Sequence, residues 1–76
     1  MKLKRIGIVG CGAIGSKIAE AINSDLKDKA KLSALYDIDH ARARDLAGKL
    51  RKKSIIVLSL ARLIRRSDLV VEASSA

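Results

Sequence analysis

Three glycines and one aspartate carry most of the chemistry that this 76-residue sequence can perform. Gly10, Gly12 and Gly15 stand in the segment Ile8-Val9-Gly10-Cys11-Gly12-Ala13-Ile14-Gly15, a G-x-G-x-x-G spacing. That spacing alone is a weak signal, because glycines gather in turns by chance. Here it follows a strand-like run and opens a helix-like one, the context in which it becomes a phosphate cradle. Gly10 permits a tight turn out of the strand. Gly12 lets backbone approach a pyrophosphate, and Gly15 lets the helix pack close to the sheet. The unpaired amides of the first helical turn, Ala13 and Ile14 among them, face the phosphates at the positive end of the helix dipole. Asp37 lies about 20 residues further on, where an acidic residue can accept the hydroxyls of an adenosine ribose. A carboxylate there opposes a 2′-phosphate, so the expected cofactor is NAD. Arg42 and Arg44 lie close by and keep NADP open, although the helix period also suits them to a solvated face.

The elements that must hold these residues follow from periodicity. Residues 3–9, LKRIGIV, become continuously apolar and read as a strand buried on both faces, as in a parallel sheet. Ile14, Ile18, Ala21 and Ile22 then form one stripe of a helix that should end near Asn23 to Asp25. Leu32–Tyr36 reads as a second strand, with Asp37 at its carboxyl end. Asp39 is a candidate N-cap for a helix with Ala43, Leu46, Ala47 and Leu50 inward. The β-branched run SIIVLS, 54–59, reads as a third strand. Ser59 can cap a short helix with Leu60, Leu63 and Ile64 inward and Arg62, Arg65 and Arg66 outward. Asp68 opens a fourth strand, DLVVEASS. The expected fold is therefore α/β: a Rossmann-like parallel sheet of about four strands, βαβαβαβ, with helices on both faces.

The remaining reactive side chains point to no chemistry of their own. Cys11 sits in the glycine loop with no His or carboxylate placed by sequence to activate it. His40 falls on an exposed first turn. Glu72 lies near the end of a strand expected to be buried, and Ser74 and Ser75 follow it, either lining a ligand crevice or fraying. No residue is assigned to catalysis or to a metal; one cysteine excludes a disulfide framework and a Cys-cluster metal site.

Composition narrows the class further. Sixteen Lys+Arg against eight Asp+Glu give a net charge of +8. The basic residues are scattered without interleaved aromatics or a recognition helix, so nucleic acid is not the expected partner. No apolar run approaches the ~18 residues of a membrane span. The start, MKLKRIGIVG, does not read as a signal peptide, and a lone cysteine fits a reducing compartment, so the expected location is the cytoplasm. Residues 1–76 read as one NAD(P)-binding domain, expected to be incomplete and small enough to be marginal on its own. Its fourth strand would form an open edge, which invites self-association through Leu69 to Ala73.

The segments RIGIVGCGAIGSKIAEAI, LYDID and DLVVEASS together resemble the N-terminal part of the L-aspartate dehydrogenase family, whose nucleotide-binding domain resembles that of homoserine dehydrogenase. The glycine segment is common to many NAD(P) enzymes, whereas the ending Val71 to Ser74 is more particular. The resemblance implies pyrophosphate at Gly10 through Gly15 and adenosine ribose at Asp37, beside Ile38. It places the nicotinamide side near Ala73 and Ser74. It also implies that substrate and a catalytic histidine belong to a second domain absent from these residues. The chain then reads as the cofactor-binding portion of an oxidoreductase that moves hydride between L-aspartate, or a similar amino or oxo acid, and a nicotinamide. A nucleotide-sensing regulatory domain with no enzymatic activity is the alternative, since it shares the glycine loop and the acid.

Overall fold

The computed structural model describes residues 2–74. Strand β1, Lys4–Val9, leads through the glycine loop into helix α1, Ala13–Asn23. Strand β2, Ala30–Tyr36, is followed by helix α2, His40–Leu50. A 3-10 turn, Lys53–Ile55, a short helix α3, Leu60–Arg65, and strand β3, Leu69–Glu72, complete the chain. The three strands form one parallel sheet in the order β2-β1-β3.

The fold class is the expected one, but the expected strand at 54–59 is reduced to a single bridge between Ile56 and Leu35. Helix α2 stops at Arg51, which takes the left-handed conformation at φ 57°, and Ser59 is already the N-cap of α3, its hydroxyl accepting from the Arg62 amide. Between these two fixed points the chain must also make the 3-10 turn. Only Ile56 and Val57 reach the sheet edge, where the Val57 amide donates to the Leu35 carbonyl at 3.0 Å. The apolar run at 54–59 reflects burial: Ile55 and Val57 are both in the core.

The core lies on both sides of the sheet. On one side Ile6, Ile8, Leu32 and Leu35 meet Ala19 and Ile22 of α1 and Ala43, Leu46 and Ala47 of α2. On the other, Leu63 of α3 packs with Ala34 and Val57. Leu63 and Ser67 press so closely on β1 that any side chain at Gly7 would collide with both. A strand alternates its faces residue by residue, yet Leu32 and Leu35 share one side. The cause is a bulge: Ile6 pairs with Leu32 and Gly7 with Ala34, leaving Ser33 as the extra residue. The Ser33 hydroxyl donates to the Ile6 carbonyl at 3.2 Å.

Two expected faces are corrected. In α3 only Leu63 is buried; Leu60 and Ile64 are 48% and 60% exposed, because a six-residue helix alone on its side of the sheet has one line of contact. Glu72 is exposed, because β3 is an edge strand paired only with β1.

A reciprocal clamp ties the starts of β1 and β3. The Arg5 amide and guanidinium both donate to the Asp68 carboxylate, at 2.8 Å and 3.0 Å for the closest pairs, and the Asp68 amide donates to the Arg5 carbonyl at 2.8 Å. The bonds from Arg5 hold the Asp68 carboxyl down to about 2 from its ordinary 3.8. A carboxyl depressed by folding contributes stability above its unfolded value, and that contribution is lost as pH falls through the folded value. Asp68→Asn is therefore expected to lower the melting temperature at pH 7, with the gap to the parent closing between about pH 4 and pH 2. Thermal melts across that range check it; a gap that persists at pH 2 would leave the clamp's charge without a role.

Candidate dinucleotide-binding site

The site begins where both ladders of β1 end. The Gly10 amide donates to the Tyr36 carbonyl and the Ala73 amide to the Val9 carbonyl, each at 2.8 Å. The glycine turn therefore emerges between β2 and β3. Gly10 has φ 98°, a region L side chains rarely adopt, and a Cβ there would also strike the backbone of Ala73 and Ser74. Gly15 is packed against the same turn: a Cβ on it would overlap the Gly10 carbonyl. These two glycines close the turn. Gly12 differs, because the nearest atom to a Cβ there is Arg42 Nη1 at 3.9 Å. It faces open space at the N-cap of α1, and no side chain caps that helix end. The first-turn amides are thus left with no partner inside the helix.

Asp37 faces this loop. The residue is 8% exposed, and its carboxylate accepts from the Cys11 amide at 2.7 Å through Oδ2. Oδ1 accepts from the Asp39 amide at 2.8 Å. Burial by itself would raise its pKa. The two backbone amides, with the charges of Arg42 and His40, outweigh burial and hold the carboxyl below its usual range. Asp37 is therefore an anion at neutral pH, and each oxygen retains a lone pair for a further donor.

A cavity of about 400 Å³ opens between these groups, lined by Gly10, Gly12, Ala13, Ile14, Asp37, Ile38, Arg42, Ala73 and Ser74. That volume falls within the ~300–1,000 Å³ of small-molecule sites. Eight of the nine residues expected at the site from the sequence line it; the ninth, Gly15, lies beneath the turn. Ile14 was expected in the buried stripe of α1 but is 64% exposed at the cavity wall, and Gly15, Ala19 and Ile22 form the buried stripe instead. Ile38 is 88% exposed at the rim. Ser74 holds its place through Glu72, whose carboxylate accepts from the Ser74 amide at 2.7 Å and from its hydroxyl. Ser75 lies outside the described residues.

Arg42 is the lining residue that sequence reasoning held between a 2′-phosphate contact and a solvated helix face. The available signal was its position: it is the third residue of α2, and a helix that begins at the carboxyl edge of a sheet turns its first residues toward that edge. His40 is exposed, its ring edge-on to Tyr36 at 6.3 Å between centroids. Cys11 is buried, its thiol donating weakly to the Tyr36 carbonyl, and burial followed by the charge of Asp37 pushes the thiol up to about 11. It is protonated and unreactive at neutral pH. Among the described residues no group of His, Cys, Asp and Glu is placed to hold a metal, and no helix is long and apolar enough to cross a membrane.

A parallel sheet, a glycine turn opening into an uncapped helix and an anion at the end of the next strand together define a dinucleotide-binding α/β domain. The chain belongs to the family described as homoserine dehydrogenase, NAD binding domain, which matches residues 10–76. Its relatives include L-aspartate dehydrogenase of Methanocella arvoryzae, 49% identical over 71 residues, which cover 93% of this chain and 26% of that protein. L-aspartate dehydrogenase of Methanocaldococcus jannaschii is 42% identical over 72 residues, again 93% of this chain and 26% of that protein. The chain thus spans about a quarter of the length of the curated relatives it matches. Among solved structures, UDP-N-acetylglucosamine 3-dehydrogenase GnnA from Acidithiobacillus ferrooxidans superposes with a TM-score of 0.81 over 99% of this chain and 23% of that one. At 24% identity that likeness establishes the fold alone.

Proposed function

We propose that this chain is the nicotinamide-dinucleotide-binding portion of an L-aspartate dehydrogenase, with residues 1–76 forming part of that domain. The observation that carries the reading is the open cavity between the glycine turn and a buried, ionised Asp37. The diphosphate lies against the amides of Gly12, Ala13 and Ile14, over the space that Gly10 and Gly15 keep compact. Asp37 accepts the adenosine ribose hydroxyls, with Ile38 covering the sugar's outer side, and its charge favours NAD over NADP. Ala73 and Ser74 face the nicotinamide half, with Ser74 positioned by Glu72. The bound nicotinamide supplies hydride exchange with an amino or oxo acid. The groups that bind that acid and move its proton lie in sequence beyond these residues, as the longer relatives suggest. A cytoplasmic location fits the cofactor and the reduced thiol.

Titrating the chain with NAD while following backbone amide resonances tests this. Shifts confined to residues 10–15, 37–38 and 73–74 support it. Unmoved resonances at Gly12 and Asp37 in millimolar NAD overturn it.

The exposed edge of β3 carries a second expectation, association with another copy of the chain. Leu69 and Val70 stand exposed beside backbone groups that pair on one side only, and a two-fold axis makes such an edge its own complement. Light scattering at high concentration should show a dimer, and a strict monomer would remove the idea.

A further inference from the structure

We propose that the amino edge of the sheet, opposite the glycine turn, docks the phosphate backbone of double-stranded nucleic acid without regard to its sequence. The inference goes beyond the dinucleotide reading and does not depend on it. Along the chain the cations are scattered, but the fold gathers several of them. All three strands are parallel, so their starts share one edge. Lys4 opens β1, and its amide donates to the carbonyl of Lys29, which precedes β2. Lys27 from the loop after α1, Lys31 from β2 and Lys52 from the turn after α2 line one hollow of about 250 Å³, beside Ile22 and Asn23 at the end of α1. The glycine turn lies at the far end of β1, roughly 17 Å away at the rise of a strand.

The edge holds little counter-charge. Among the described residues the ion pairs are Arg5 with Asp68 and Arg42 with Asp39, so none of the five lysines is paired. Asp25 and Asp28 share the loop of Lys27 and are unpaired as well. The carboxyl ends of α1 and α2 offset part of the repulsion among the lysines. What remains is a positive field on a chain of net charge +8. The chemistry of the edge selects the partner. The loop of Lys27 and Lys29 exposes one large apolar side chain, Leu26, and the chain has no Trp or Phe to anchor in a lipid interface. A protein partner would need an apolar centre that this edge lacks. The lone tyrosine, Tyr36, ends β2 at the other edge, so no base can stack here and a single strand gains nothing. A duplex backbone needs only dense, regular positive charge, and lysines supply it.

Fluorescence anisotropy of a labelled duplex, titrated with the chain between about 50 and 200 mM salt, tests this. The logarithm of the affinity should fall with that of the salt at a slope of about −4.5, from five neutralised phosphates at ~0.9 each. Replacing Lys27, Lys31 and Lys52 together by glutamine should weaken binding more than about tenfold at ~100 mM salt and bring the slope to about −2. Arginine at the same three positions should preserve both values. Lys17→Gln, Arg44→Gln and Arg62→Gln together remove the same charge from exposed helix positions and should cost less than about threefold. Thermal melts of every variant accompany the titrations. Lys27→Gln alone, in an exposed loop, should lower the slope by about one and serves where the triple variant melts early. Equal losses in the two glutamine triples would make binding a matter of net charge and overturn the surface. So would the absence of binding at ~50 mM salt. Displacement of the duplex by millimolar NAD would seat it at the glycine turn and overturn the proposal too, as would tighter binding to phosphatidylserine vesicles or to poly-glutamate.

Discussion

Gly12→Ala should weaken nucleotide binding ~10-fold or more and leave the chain folded. The backbone at Gly12 has φ −78° and ψ −158°, a conformation open to any residue. A methyl group there meets nothing closer than the guanidinium of Arg42 at 3.9 Å, the mobile end of an exposed side chain. The fold therefore has no reason to resist it, and the melting temperature should move by no more than ~4 °C, the effect of well under 1 kcal/mol in a domain of this size. The same methyl projects into the space a pyrophosphate must enter to reach the helix amides. Losing one or two charge-assisted hydrogen bonds weakens binding by ~10- to 100-fold or more. NAD titration beside a thermal melt measures both quantities. Unchanged affinity would mean that the diphosphate does not lie against this loop.

Gly15→Ala should have the opposite consequence. The added Cβ would overlap the carbonyl oxygen of Gly10, and both are backbone-fixed, so no rotamer change relieves the clash. Either α1 moves off the sheet or the turn opens. We expect a loss of more than ~3 kcal/mol, at the upper end for overpacking, in a chain whose whole stability is of the order of 4–11 kcal/mol by its length. Gly48→Ala supplies the control. Gly48 lies within α2 with nothing within 4 Å of a Cβ, so alanine there should stabilise by ~0.5–1 kcal/mol. Urea unfolding of the three proteins distinguishes the cases. A Gly15→Ala midpoint equal to the parent's would show that helix and turn do not approach as closely as described.

The parts legible in the sequence were those fixed by neighbours in the chain. The turn after β1, the Asp39 cap of α2, whose carboxylate accepts from the Ala41 amide, and the Ser59 cap of α3 depend on residues within a few positions of one another. Ala43, Leu46 and Ala47 announced the buried side of α2 by their period and lie there. What escaped depends on distant partners. Residues 54–59 are apolar enough for a strand, but the helix stop before them and the cap after them leave room for one bridge. Leu60 and Ile64 repeat with Leu63 at helical spacing, yet no second element covers them among the described residues. The sequence offered Arg42 and Arg44 equally, and only the sheet edge separates them, bringing Arg42 against Gly12.

The extra residue in β2 has a consequence for how such sequences are compared. Ser33 shifts the alternation of everything after it, so Leu35 returns to the side of α1 and Asp37, two further on, turns the same way. A homologue that lost this one position would run β2 in strict alternation, and its acid, one residue nearer the glycines, would still face the loop. A homologue that kept Ser33 but paired it as an ordinary ladder residue would instead turn Leu35 and the acid toward α3, out of reach of the loop. Spacing counts residues, whereas recognition depends on which of them the ladder leaves unpaired.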